Sequence, residues 1–437
     1  MSSAIVLYGQ VGEGKTTMAL GAAKRIMGSG HRTVGVLSLR VLNDGAPPSY
    51  NILDLETGRS FPLVQPKEMT SGEDWDSFGN SVFRFSKKGL AEANAILVKA
   101  SEGLGDGVVA FVGTTEEGQI DEISEIARLR DEYEKKGVSF YLHIDAAYGG
   151  YSRALYLDEN NRFMGYEEMK KKIREVGAVK SGSDYPTKKL WEDYRTIPSA
   201  DPITIDPHKM GYVPYAAGGI AIKDKRALGL ISYFAAYVFD NKGDLSTNFG
   251  SVILEGSKAG ATAAAVWAAH RLIPLNVTGY GQIVGRSIDG AEQFAKSVDS
   301  VKTLEVGGKE YNIQPLLVDP DFNIVCYAFN PKGGTNLEKM NDLNEKVYDA
   351  TSYKSGPVYA DSWITSKTEL NVKDYGDAPL DFVKRLGISD KEWRKVGKVY
   401  VLRSCILHPW IANRRTYPER WARYLGFMKK TLEKVVN

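Results

Sequence analysis

An α/β fold is predicted for this chain, on three observations. First, "GVVAFVGTT" (107–115), "VSFYLHIDAAYGG" (138–150) and "DPITIDPHKMG" (201–211) are apolar segments that each end in a polar or glycine-bearing loop. The helical stretch "IDEISEIARLRDEYEKKG" separates the first two, giving the β-α-β rhythm of a parallel sheet, whose ligands gather at the carboxyl ends of strands. Second, the glycine loop "GQVGEGKT" (9–16) stands between a short apolar run and a helical one. Third, from about residue 290 shorter strands and the amphipathic "YPERWARYLGFMKKTLEKVV" indicate a smaller α+β domain. The expected division is an α/β segment at 1–103, a large domain at 104–290 and a C-terminal small domain at 291–437.

The elements follow in order. "SAIVLYG" reads as a strand and "KTTMALGAAKRIM" as a helix after the glycine loop. "HRTVGVLSLRV" is a further strand, and "YNILDLETGRSFPLV" reads as two strands around a Thr-Gly turn. "KKGLAEANAILVKASEGLGDG" is a helix ending in glycines. The three strands of the large sheet come next, and the alanine-rich "AGATAAAVWAAHRLI" is expected to be a helix buried against its neighbours.

Bulk properties narrow the function classes. The chain has 437 residues, 43% apolar and 25% charged, with 56 basic against 54 acidic side chains and a formal charge of +2. Nothing in that balance calls for a nucleic-acid or membrane-surface partner. Its two cysteines, Cys326 and Cys405, lack metal-ligand spacing, so neither a disulfide framework nor a metal site is expected. No apolar run approaches the ~20 residues of a spanning helix. Met-Ser-Ser followed by a strand is no signal peptide, so a cytoplasmic location is expected.

The chemistry concentrates at two positions. A lysine amine becomes a useful nucleophile when desolvation or neighbouring cations lower its pKa, and it can then form a Schiff base with an aldehyde. Lys209 stands directly after His208 in the loop that closes "DPITIDPHKMG". Pyridoxal phosphate (PLP), the common biological aldehyde held this way, also needs an anion near its pyridine nitrogen. Asp145 ends its own strand 64 residues earlier and supplies one. Taken singly, each has a plainer reading, a surface-loop lysine and a helix-capping aspartate. Together they point to one pocket at the sheet's carboxyl edge.

"HIDAAYGG" followed by "IDPHKMG" resembles the PLP-dependent group II amino-acid decarboxylases, most closely their tyrosine decarboxylase-like branch. "VGTTEEGQIDEI", "LEGSKAGATAAAVWAAHRLIPLNVTGYG" and "VYVLRSCILHPW" resemble the same family, so the likeness runs from about residue 105 to the C-terminus. It implies a fold-type-I PLP-dependent transferase-like large domain that decarboxylates an L-amino acid, aromatic and tyrosine-like, to the amine and CO₂. Lys209 would then carry the cofactor and Asp145 pair with its pyridine nitrogen. Ala147 would pack beneath the ring, His208 lie beside it, and Thr114 or Thr115 lie near its face or the substrate carboxylate. A homodimer is implied as well. In the family a mobile-loop tyrosine usually protonates Cα; the corresponding stretch here, 237–256, offers Tyr237 at its start and Phe249. The family's stacking histidine and phosphate loop, which precede "VGTT", have no counterpart, and His143 is expected to point away from the cofactor. The large domain therefore reads as incomplete at its N-terminal side.

In their place "GQVGEGKT" matches the P-loop pattern, and residues 1–103 resemble small P-loop nucleoside triphosphatases. Gly12, Gly14, Lys15, Thr16 and Thr17 would cradle ATP or GTP with Mg²⁺. No acidic strand end follows to order the metal and water, so binding is expected rather than hydrolysis. Two alternatives stay open: a nucleotide-binding protein with an inactive PLP-fold C-terminal part, and a PLP lyase acting on another Cα bond.

Overall fold

The computed structural model describes residues 15–28, 36–43, 46–77, 83–101, 107–180, 183–228, 252–253, 258–356 and 363–436. The chain forms two compact units: Met1–Val108 with Arg130–Tyr141 and Asp224–Lys258, and Val109–Leu129 with Leu142–Lys223 and Ala259–Asn437.

In the first unit, α1 (Lys15–Gly28) is followed by β1 (Val36–Asn43), β2 (Ala46–Asp54), β3 (Ser60–Pro66), β4 (Trp75–Ser77), β5 (Phe83–Ser86) and α2 (Lys87–Ser101). The strands make one sheet in the order β1-β2-β3-β5-β4, every neighbouring pair antiparallel. The α/β segment expected at 1–103 is thus corrected to an antiparallel sheet with two helices among its described residues. The reason is length: successive strands are separated by no more than eight residues, and a parallel crossover needs a dozen or more. The turn between β2 and β3 forms where expected. Asp54 accepts from Glu56 N at 3.0 Å and Thr57 Oγ1 at 2.6 Å, and Gly58 supplies the positive φ of 72°.

The second unit carries two sheets. One runs β6-β7-β8-β9, with β6 at Gly107–Phe111, β7 at Tyr141–Asp145, β8 at Pro202–Ile205 and β9 at Gly219–Ile222. β7 and β8 are parallel, as the rhythm predicts, and β9 returns antiparallel to β8. α3 (Ile123–Glu134) is the helix expected between β6 and β7; α4 (Tyr166–Glu175) and α5 (Lys188–Thr196) lie between β7 and β8.

After α6 (Gly260–Leu272), the long α7 (Tyr280–Val301) leads into the second sheet. Its strands are β10 (Thr303–Val306), β11 (Lys309–Pro315), β12 (Ile324–Pro331), β13 (Ser366–Asn371) and β14 (Lys398–Cys405), in the antiparallel order β10-β11-β12-β14-β13. β12, "IVCYAFNP", is buried along nearly its whole length because both faces are covered. Val325, Tyr327 and Phe329 join one core, with α7, α8 (Leu337–Ala350) and α9 (Tyr417–Val436). Ile324, Cys326 and Ala328 join a second core built around Trp393. Side chains alternate across a strand, so a run apolar at every position implies two covered faces.

One expectation fails here. α6 forms over the alanine-rich segment, but none of its residues is buried; Trp267 is 63% and Leu272 82% exposed. Alanine fixes helix propensity, which does not dictate burial. No described helix is long and apolar enough to cross a membrane.

Candidate active site

The site is built at the ends of β7 and β8. Their parallel register sets Asp145 opposite Thr204 and Ile144 opposite Ile203. Leu142 and Ile144 point into the core while Tyr141, His143 and Asp145 alternate with them. His143 therefore lies on the same face as Asp145, two residues before it, which corrects the expectation that it points away: a period of two makes i and i+2 share a face.

Asp145 is half-buried. Its Oδ1 accepts from Thr204 Oγ1 at 2.9 Å and from Ala147 N at 3.0 Å. Its Oδ2 has no hydrogen-bond partner among the described residues. The loop beyond turns sharply under β6: Val112 N donates to Asp145 O at 2.9 Å, and Gly149 N to Val112 O at 2.9 Å. A Cβ on Gly149 would lie 2.3 Å from Val112 O, so only glycine allows this approach.

The Lys209 loop is tied to the Asp145 loop through the backbone. Ala146 N donates to Thr204 O at 3.0 Å and Asp206 N to Ala147 O at 3.1 Å. Lys209 Nζ pairs with Asp206 Oδ2 at 3.0 Å, and His208 Nε2 stands 3.6 Å from the same oxygen. His208 Nδ1 lies 2.6 Å from Ala217 O and 3.3 Å from Ala217 N. One nitrogen cannot donate to the first and accept from the second, and the shorter contact assigns it the proton. The His208 ring stands 4.2 Å from that of Tyr215.

Asp145, Ala147, His208 and Lys209 are thus brought together on two hydrogen-bonded loops. Thr114 and Thr115 follow β6. Thr114 is half-buried, accepting from Gln119 N at 3.0 Å, and Thr115 is exposed. Lys15, Thr16 and Thr17 open α1; Gly12 and Gly14, and likewise Tyr237 and Phe249, lie outside the described residues. Thr204 and Asp206 were not singled out by motif reasoning. Thr204 shares β8 with the lysine motif, but its contact with Asp145 depends on strand register.

The arrangement fits PLP. A carboxylate for a pyridine N–H and a lysine one loop away suit the ring nitrogen and the aldehyde of that cofactor, with the small side chain of Ala147 between them in sequence. No group of three or more His, Cys, Asp or Glu side chains that could hold a metal ion occurs among the described residues.

Residues 175–314 match the model of the pyridoxal-dependent decarboxylase conserved domain, and residues 290–435 that of the tyrosine decarboxylase C-terminal region. The L-tyrosine decarboxylase of Enterococcus faecalis is 46% identical over 331 residues, covering 76% of this chain and 53% of its own. That of Levilactobacillus brevis is 46% identical over 329 residues, covering 75% and 52%. The chain thus spans about half the length of the curated relatives it matches. Among solved structures, mouse CSAD aligns with 80% of this chain and 56% of its own at a TM-score of 0.46 and 15% identity. These matches give no support to ATP or GTP with Mg²⁺ at Gly12, Gly14, Lys15, Thr16 and Thr17. Residues 175–435 are thus similar in sequence to PLP-dependent decarboxylases of the tyrosine decarboxylase type.

Proposed function

We propose that this protein decarboxylates an L-amino acid with PLP, and that L-tyrosine is the first substrate to test. The observation that carries the reading is the carboxylate of Asp145, hydrogen-bonded through Oδ1 and with no Oδ2 partner among the described residues, on the loop bonded to that of Lys209. The choice of tyrosine rests on the relatives named L-tyrosine decarboxylases.

PLP, when bound, supplies an electron sink for the pair left behind as CO₂ departs. Asp145 Oδ2 would accept a hydrogen bond from the protonated pyridine nitrogen and keep that position charged, a contribution made mainly in the transition state. Thr204 Oγ1 and Ala147 N hold the carboxylate in place for this, and Ala147 leaves room for a flat ring. Lys209 would leave Asp206 to hold the cofactor through Nζ. His208, fixed by Ala217 O, would border the ring, with Thr114 and Thr115 toward its face or the substrate carboxylate.

Residues 104–290 and 291–437 would form the large and small domains. A homodimer would cover apolar surface on α6, where Trp267 and Leu272 stand exposed. A reducing cytoplasm suits the two free cysteines, Cys326 and Cys405.

The test is direct. Purified protein with PLP and L-tyrosine should release CO₂ and the corresponding amine in equal amounts, and neither without PLP. Release of neither from L-tyrosine by folded protein that has bound PLP would overturn the tyrosine assignment, and release of neither from any of the common L-amino acids the decarboxylase reading.

A further inference from the structure

Behind the two cofactor loops lies a buried amide that the motifs do not include. Asn323, directly before β12, is wholly buried. Its Oδ1 accepts from Tyr148 OH at 2.8 Å. Its Nδ2 donates to Ser287 Oγ on α7 at 2.9 Å and to Ile406 O, just past β14, at 3.2 Å, and touches Met210 Sδ at 3.5 Å. Ile406 N returns a hydrogen bond to Asn323 O at 2.8 Å, and Ser287 Oγ donates to Ile406 O. Tyr148 stands three residues after Asp145, and Met210 directly follows Lys209.

We infer that Asn323 is a positioning residue, one that sets the Asp145 and Lys209 loops relative to each other and to the C-terminal sheet. Strand pairing fixes the two loops where they leave β7 and β8, but Tyr148 and Met210 lie beyond that ladder. A single planar amide meets both residues, and its own backbone is anchored to the strand end at Ile406. Buried away from water, it cannot flip without setting its oxygen against the Ile406 carbonyl, acceptor facing acceptor. Tyr148 is constrained further by Phe322, whose ring meets it edge-on at 5.4 Å and 83°. Buried second partners that orient ligand-bearing groups carry much of a site's precision.

The role rests on the PLP reading, and PLP alone is the probe. PLP is titrated into wild type, Tyr148→Phe, Ser287→Ala, Asn323→Asp and the control Asn344→Asp, with the thermal midpoint of each cofactor-free protein measured in parallel. Asn344 is equally buried but, among the described residues, bonds only Phe329 and Met340, within the C-terminal sheet and α8. Tyr148→Phe should weaken PLP binding by about 3- to 10-fold, the equivalent of one hydrogen bond, and Asn323→Asp by at least ~10-fold. Asn344→Asp should lower the midpoint and leave PLP affinity of the folded protein within about twofold of wild type. If Asn323→Asp does not fold, Tyr148→Phe and Ser287→Ala, which change one atom group each, decide the matter. Variants that bind PLP as tightly as wild type overturn the role of Asn323, as does a control that weakens PLP equally. Wild type that takes up no PLP brings down the cofactor reading itself, and this role with it.

Discussion

Replacing Asp145 by asparagine separates the chemistry of the carboxylate from its part in the fold. The amide keeps the shape of the side chain, and its oxygen can accept from Thr204 Oγ1 and Ala147 N as Oδ1 does now, at 2.9 and 3.0 Å. What is lost inside the protein is the charge assistance to those two bonds, about 1–2 kcal/mol in total. What is lost toward a pyridine nitrogen is larger, because the group at the Oδ2 position becomes a donor facing a donor. Removing one preorganised electrostatic partner typically costs about 2.7–4 kcal/mol in the transition state, or about 10²–10³ in turnover. Asp145→Asn should therefore melt within a few degrees of wild type yet release CO₂ at least ~100-fold more slowly. Melting curves and CO₂ release on the same preparation supply both numbers. Undiminished turnover in the folded variant would refute the assignment of Asp145, and loss of activity only in step with loss of fold would reduce it to a structural residue.

Gly149→Ala should destabilise by about 1–3 kcal/mol, because the new Cβ meets backbone atoms of Val112 that cannot move aside. Its φ of −89° suits any residue, so contact is the cause, and a melting point equal to wild type would contradict it. Burial pushes the Asp321 carboxyl above its ordinary 3.8, with Asp193 adding to the rise and Ile120 N and Lys189 opposing it. A carboxyl raised in the folded state stabilises below the unfolded value and loses that contribution as pH rises through the folded one. Asp321→Asn should thus raise the melting point at pH 7, with the gain vanishing below pH 3.8; a pH-independent difference would contradict the cause. Sedimentation should show a dimer at micromolar concentration that Trp267→Glu weakens, whereas a wild-type monomer with PLP bound would contradict the homodimer.

Much of the site was legible because it rests on local patterns. The apolar runs ending at Asp145 and before Lys209 became β7 and β8, and their parallel pairing brought the two loops together as the β-α-β rhythm requires. Other features depend on register and long-range packing, which no local pattern encodes. Thr204 reaches Asp145 because the strands align at that step. Asn323 meets Tyr148 across 175 positions of sequence. The Lys209–Asp206 pair was legible in spacing, three residues apart in a turn, but the aspartate was read as part of the motif rather than as a partner. Of the N-terminal strands, β1, β2 and β3 were found, β4 and β5 were not, and the sheet type was missed, since a match at Gly9–Thr16 says nothing about how later strands pair. Composition likewise gave α6 its helix and left its exposure open.

The central claim is that Lys209 holds PLP. Protein incubated with PLP, reduced with borohydride and digested should yield one pyridoxyl-modified peptide, the one containing Lys209, and Lys209→Ala should yield none. Modification spread over other lysines, with the Lys209 peptide recovered unchanged, would contradict it.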